Sequence, residues 1–413
     1  MNHASRVICL CALMLLMIVS KPGAHDSHVR RFAAPYSTAE GRRFGYVDAG
    51  GGLRVSPDYL VARAFQGGYA VVATSRSRTV PTGFGVIDPD GRFVAPAVYD
   101  DILLSWTGKA WVLHDGAWRY IRVAQGDYVF PGRFDRVTPY SEGMAVVEAE
   151  GEQLVIDNGG RRLFSLTARG LRGTLVDHGN PAAFPHDVSG FREGLLMAVS
   201  SEPAAGLRSI VFLDADGNVV IPARTYLAEA VNSFSEGYAA LQEYVPGVIG
   251  GGDAFFIDRH GSRGFGGKVW RGVKSFSEGR AAVTTRSASS SQNRPARWGF
   301  INHEGELVIA DVYLDVEPFS EGLAAVAVEL DSLVSGRRDG LWGAIDRHGT
   351  MVIEPQFRSP FRFRDGLAQV LEPIEVHSIA GVQLSAPARG MRTRYIDRSG
   401  RIVWDERDHV AVE

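Results

Sequence analysis

Leu341-Trp-Gly-Ala-Ile-Asp-Arg-His-Gly-Thr-Met-Val-Ile-Glu-Pro355 is the stretch from which the fold can be read. Ala344 and Ile345 run into Asp346, Gly349 follows three residues on, and a second apolar run leads to Pro355. Asp at the first position and Gly at the fourth is the composition of a type I turn. The Asp side chain takes backbone N–H groups within the turn, and Gly accepts the positive φ that closes the hairpin. Successive strand residues point to opposite faces, so apolar residues at both 344 and 345 predict a strand buried on both sides. Gly343 inside that strand predicts close approach of a neighbouring backbone.

The pattern returns nine times along 413 residues. The turn residues are Asp48, Asp88, Asp157, Asp214, Asp258, Asn302, Asp346 and Asp397, with a departing third copy at Arg122 and Gly126. From Asp214 to Asp346 the spacing is 44 residues at each step. Pro57, Pro96, Pro131, Pro222 and Pro355 are expected to end the second strand of the hairpin. A second motif, aromatic-Ser-Glu-Gly, recurs at Tyr140, Phe234, Phe276 and Phe319, with variants at Phe65, Phe191 and Phe363. Its ring is expected to fill the gap between successive units, its Ser-Glu-Gly to turn the chain. The small residues that follow, such as Ala281-Ala282 and Ala324-Ala325, allow tight packing of neighbours. Self-similarity at this period marks a repeat architecture. The expected fold is all-β: a tandem array of eight to nine antiparallel β-meander units of three or four strands. It is either an open curved superhelix or a propeller-like ring. Uneven spacing in the first half favours the open form. The expected boundaries are 1–24 signal peptide, 25–42 linker, 43–404 repeat array and 405–413 tail.

These residues resemble the WG-repeat family, named for the pair seen here at Trp298-Gly299 and Trp342-Gly343. The similarity spans about Arg43 to Trp404, strong in the last four complete copies and weak in the third and fourth. Many family members carry lysine before the Trp; Arg297 and Leu341 stand there in this chain. The resemblance implies β-repeats and an interaction role, and supplies no catalytic residues.

Composition narrows compartment and partners. The apolar run Val7–Val19 after Arg6 is too short to span a bilayer as a helix and suits a signal-peptide core. Cleavage after Ala24 is expected, which would leave no stable membrane span; a retained anchor is the alternative. Both cysteines, Cys9 and Cys11, lie in this segment, so a processed chain would have no disulfide and no thiolate site. The formal net charge of −3 gives no footprint for nucleic acid. The chain is expected in the periplasm or beyond, with an envelope protein or glycan as partner.

Function is expected where the copies differ. The connections at 74–82, 244–253, 284–296, 329–339 and 372–392 vary in length and composition yet occupy one topological place. In a stacked array they share one edge, a common binding surface. The alternative is that long surface loops are merely tolerated. Tyr244, Arg286, Arg294, Arg338 and His377 are the binding candidates on these loops. The fourth copy carries an insertion near 165–190 with two His–Asp pairs, Asp177-His178 and His186-Asp187. These four are the catalytic candidates for a hydrolase or metal-dependent reading, although their spacing matches no metal motif. Asp88-Pro-Asp-Gly and Asp214-Ala-Asp-Gly-Asn resemble calcium loops but lack the distal Glu. His260, His303 and His348 are expected to be solvated turn residues. Glu142, Glu236, Glu278 and Glu321 recur once per unit, which argues against a glycosidase pair. No cofactor or metal site is expected.

Overall fold

The computed structural model describes residues 30–38, 41–77, 80–173, 175, 190–200, 207–243, 252–284, 296–329, 340–379 and 382–409. Unit 8 shows the grammar in full. Its strands Asp315–Val316, Leu323–Glu329, Gly340–Asp346 and Met351–Phe357 pair antiparallel in chain order. The Asp346 turn closes as its composition dictates. Gly349 N–H donates to the Asp346 carbonyl at 3.0 Å, and Asp346 Oδ1 accepts from the N–H groups of His348 and Thr350. The same Oδ1 bonding recurs at Asp48, Asp88, Asp157, Asp214, Asp258, Asn302 and Asp397. The third copy makes a longer turn instead, with Gly126 N–H on the Arg122 carbonyl.

Gly343 faces the fourth strand across a register shift, where a Cβ would lie 2.3 Å from the Ile353 carbonyl oxygen. Pro355 sits at this break, and the strand continues to Phe357. Pro57 likewise lies inside the strand Leu53–Tyr59 and Pro96 inside Phe93–Tyr99. Proline therefore does not end these strands, contrary to the sequence expectation. The fourth strand is the outer edge of its sheet, and an N–H missing opposite Gly343 costs no ladder bond.

Nine such units follow one another. One long strand, Val219–Val231, pairs with Leu207–Leu213 and then with Tyr238–Glu243, so units 5 and 6 share one of the eight sheets. Alternate residues of a strand serve different neighbours. Leu323, Ala325 and Ala327 pack with Phe361 and Phe363 of unit 9, whereas Ala324 and Val326 pack with Phe300 and Ile309 of unit 7. Both faces are buried, as the paired apolar residues predict.

The apolar clusters count the junctions. Among the described residues there are nine, each joining two consecutive units. Nine units in an open array would have one junction fewer. The ninth cluster joins Phe32, Ala34, Tyr36 and Val47 of unit 1 to Leu367, Tyr395 and Trp404 of unit 9. The array is therefore a closed, propeller-like ring, although no single sheet closes into a barrel. Uneven spacing along the sequence reflects insertions between strands, not a break in stacking.

Strand Phe32–Thr38 pairs with Gly41–Val47 and belongs to unit 1, inside the segment read as linker. It carries neither recurrent motif, so the repeat pattern could not reveal it. At the other end, Asp405 closes the strand Ile402–Asp405, and the turn Glu406–His409 follows it. No helix among the described residues is long and apolar enough to cross a membrane.

Candidate functional site: a fixed rim and a variable rim

The register of unit 8 divides the ring into two rims. Leu323 pairs with Asp346 at one end of the sheet, and Glu329 with Gly340 at the other. The first end carries both recurrent turns; the second carries the variable connection.

On the turn rim, from unit 4 to unit 9, the Ser-Glu-Gly turns stitch each unit to the next. Glu142 accepts from the N–H groups of Glu193 and Gly194 at 2.6 and 2.8 Å. Glu193 then accepts from Gly237, Glu236 from Gly279, Glu278 from Gly322 and Glu321 from Gly366, all within 3.0 Å at their shorter contact. The serine hydroxyls do parallel work. Ser235, Ser277 and Ser320 donate to the carbonyls of Phe276, Phe319 and Phe363 in the following unit. These glutamates sit at φ of 52–54°, a left-handed conformation usually left to glycine. Such strain costs about 1 kcal/mol or more and persists where surrounding bonds over-determine it.

A cation often completes the clasp. Arg347 Nη2 lies 2.7 Å from Glu278, and His303 Nε2 lies 3.3 Å from Glu236 while its ring stacks on Phe276 at 4.5 Å. Arg398 Nη2 donates to the Glu321 carbonyl at 2.7 Å. His303 is thus a junction residue, not only a solvated turn residue, whereas His260 and His348 are exposed. Burial works to raise the Glu278 carboxyl, but the Arg347 hydrogen bond and the N–H groups of Gly322 and Glu321 outweigh it. The net shift is downward. The aromatic residue of the motif fills the junction as expected: Phe319 meets Phe300 at 5.0 Å, and Tyr140 meets Tyr120 at 4.5 Å.

The variable rim holds the binding candidates. Two of its connections are hairpin extensions, not loops. Strands Ala70–Ser77 and Val80–Ile87 nearly meet, and strands Leu367–Ile379 and Val382–Asp397 pair as far as Ile379 and Val382. His377 lies within the second hairpin. Tyr244, Arg286, Arg294 and Arg338 lie outside the described residues, as do Asp177, His178, His186 and Asp187. The insertion that carries those four interrupts the first strand of unit 5. The chain leaves after Leu171–Arg172 and returns at Phe191–Arg192, and both segments pair with Leu195–Ser200.

At the root of the long hairpin lies a charged cluster that the sequence reading missed. Arg392 is 7% exposed and reaches both Glu372 and Asp405. Arg394 binds Glu372 at 2.5 Å and Asp405 at 2.6 Å. Glu406 takes Arg42 of unit 1 at 2.9 Å and the Thr393 N–H at 2.8 Å. Burial would raise the Asp405 carboxyl, but the Arg407 N–H and the Arg394 guanidinium hold it below its ordinary range. Buried charges need such pairing. The available signal was Arg394, which stands where four other copies place glycine (Gly45, Gly85, Gly299 and Gly343). Elsewhere the calcium-like turns spend their Asp oxygens on backbone N–H groups, as Asp214 Oδ1 does with Asp216 and Asn218. Among the described residues no group of three or more His, Cys, Asp or Glu could hold a metal ion.

Fold and rims define a closed ring of β-meander repeats, stitched on one rim and free to vary on the other. A family model described as "WG containing repeat" matches residues 84–118, 118–152, 298–329 and 342–372. The chain carries WG-type repeats in these four stretches. No curated protein matches it. Solved structures similar to it include AztD of Citrobacter koseri, 13% identical over 93% of this chain and 95% of that one, at a TM-score of 0.35. A protein of unknown function from Bacteroides caccae is 12% identical over 58% of this chain and 89% of its own, at a TM-score of 0.25. A puromycin hydrolase is 11% identical over 83% and 57%, at a TM-score of 0.35. Likeness at this level carries no argument about function.

Proposed function

We propose that this is an exported, non-enzymatic interaction protein of the cell envelope, binding a protein or glycan through its variable rim. One observation carries the reading. The five variable connections all leave the ring at the same rim, while from unit 4 to unit 9 the opposite rim is taken up by unit-to-unit hydrogen bonds. A rigid scaffold that presents adjustable loops is a common arrangement for recognition. The long hairpin is the longest described element there, and ion pairs of Arg394 with Glu372 and Asp405 tie its root to the last strand of unit 9. Export is supported by the apolar segment Val7–Val19 and by the confinement of both cysteines to it.

The test is capture from an envelope extract with the wild-type chain and with a variant whose 372–392 hairpin is shortened. Loss of specific partners from the variant supports the reading. Identical partners from both, and from variants with the other connections shortened, would overturn it. Fractionation checks export separately: an uncleaved chain in the cytoplasm contradicts it.

A further inference from the structure

The turn rim is uniform only part of the way round. Units 4 to 8 place a glutamate at the clasp, but from unit 9 to unit 3 the sequence changes to Arg364-Asp365-Gly366, Gln66-Gly67-Gly68 and Trp106-Thr107-Gly108. Unit 1 has no first strand and no such turn among the described residues; the chain enters at Arg30 and Arg31. Among the described residues, this interval of the rim is a notch between units 9 and 3. On one flank stand the exposed Arg364 and Arg30, whose Nη1 lies 3.2 Å from where a Cβ on Gly366 would be. On the other flank Gly67 presses so closely on Trp106 that a Cβ would lie 2.5 Å from its carbonyl oxygen.

Trp106 stands where four other units place the turn serine. It is 66% exposed, more than any other large apolar side chain among the described residues. Its described ring partner is the Arg364 guanidinium, 5.8 Å away. Units 9 and 3 are not neighbours in the ring, so this pair reaches across the notch. Neither Arg364 nor Arg30 makes an ion pair among the described residues.

We propose that the notch binds an acidic sugar residue, its pyranose ring on the open face of Trp106 and its carboxylate on Arg364 and Arg30. An indole face offers broad apolar contact at little conformational cost. A guanidinium matches a carboxylate in bidentate geometry, which an ammonium cannot reproduce. A long polyanion such as nucleic acid is disfavoured, because Glu142, Glu193, Glu236, Glu278 and Glu321 line the rest of this rim. The site lies on the rim opposite the variable connections and does not depend on their role.

Titration of the full chain with trigalacturonate, followed by tryptophan fluorescence and calorimetry, tests the proposal, with neutral maltotriose as the comparison. Trigalacturonate should bind, weaken with salt, and lose roughly tenfold or more in affinity in Trp106→Ala and in Arg364→Gln. Both side chains are exposed, so circular dichroism should stay unchanged. The shortened 372–392 variant should bind trigalacturonate like the wild type. The proposal is overturned by equal binding of maltotriose, by undiminished affinity in Trp106→Ala, or by no binding up to about 10 mM ligand.

Discussion

Units 7 and 8 meet through a stitched junction, whereas units 9 and 1 meet through a seam made almost wholly of side chains. At the first, Phe319 packs on Phe300, Ser277 bonds the Phe319 carbonyl, and Glu278 takes both Gly322 N–H and Arg347. Among the described residues the seam has no glutamate clasp. Phe32 meets Tyr395 at 5.6 Å, Tyr36 meets Trp404 at 5.7 Å, and Tyr395 OH donates to the Ala33 carbonyl at 2.7 Å. Pro35 holds the register place that Ala73 holds in unit 2, where the Ala73 carbonyl accepts from Leu60 of the first strand. With no N–H to offer, Pro35 makes the inner edge of unit 1 a poor template for another strand. Among the described residues the ring is thus closed by aromatic packing, the Tyr395 hydrogen bond and the Arg42–Glu406 ion pair, with no strand exchanged between its ends. What the repeat encodes once per unit, the termini achieve with singular residues.

The comparison is broken most forcefully at its aromatic anchors. Phe319→Ala and Trp404→Ala each remove a buried ring and should cost about 3–5 kcal/mol by denaturant unfolding. In a closed ring the Trp404 variant should weaken the whole cooperative transition. In an open array it would only fray a terminal unit, leaving the main transition in place. Hydrogen exchange that shows protection lost from unit 9 alone would therefore contradict closure.

Next in size is the backbone contact inside each unit. Gly343→Ala places a Cβ against the Ile353 carbonyl and should cost about 1–3 kcal/mol. Single hydrogen bonds come below that. Glu278→Gln keeps the shape but loses the charge, and Tyr395→Phe removes one hydroxyl donor; about 1 kcal/mol is expected for each. Glu278→Gly sharpens the reading, because it relieves the left-handed backbone while deleting the clasp. If it is as stable as the wild type, strain and clasp offset each other; if it is clearly more stable, the clasp contributes little.

Much of this was legible in the sequence because each motif has a local cause. Asp346 and Gly349 specify a turn by themselves, and Ala344-Ile345 specify two buried faces. The ring closure was not legible, since Phe32, Tyr36 and Trp404 follow no repeat and become neighbours only in three dimensions. The glutamates show the middle case. Their recurrence correctly marked Glu278 as part of the unit, but which atoms it binds depends on the next unit's turn, 44 residues away from Glu278 at Gly322. The binding candidates on the variable rim were chosen by position in the unit, and position alone does not fix side-chain geometry. Trp106 was passed over because its turn departs from the motif.

The smallest effect expected is one of sign, and it comes from two glutamates at the stitched junction. Glu278 is held below its ordinary range by Arg347 and backbone N–H groups despite partial burial. Its contribution is therefore complete above the unfolded value, about 4.3, and is lost as pH falls through the lower folded value. Glu317 is shifted the other way. Burial raises it, with Asp315 adding, and Lys274 and Arg362 only partly oppose this. Its contribution is complete below about pH 4.3 and is lost as pH rises through the raised folded value. Glu317→Gln should then raise Tm at pH 7 relative to the wild type, while Glu278→Gln should lower it. The Glu317 difference should shrink first, as pH falls through its raised folded value towards about 4.3, and the Glu278 difference only at lower pH, as its depressed folded value is passed. Thermal melts of the two variants from pH 3 to 8 read this directly. Parallel curves that never converge in acid would mean that neither carboxyl's charge matters to the junction, and that the clasp acts by shape alone.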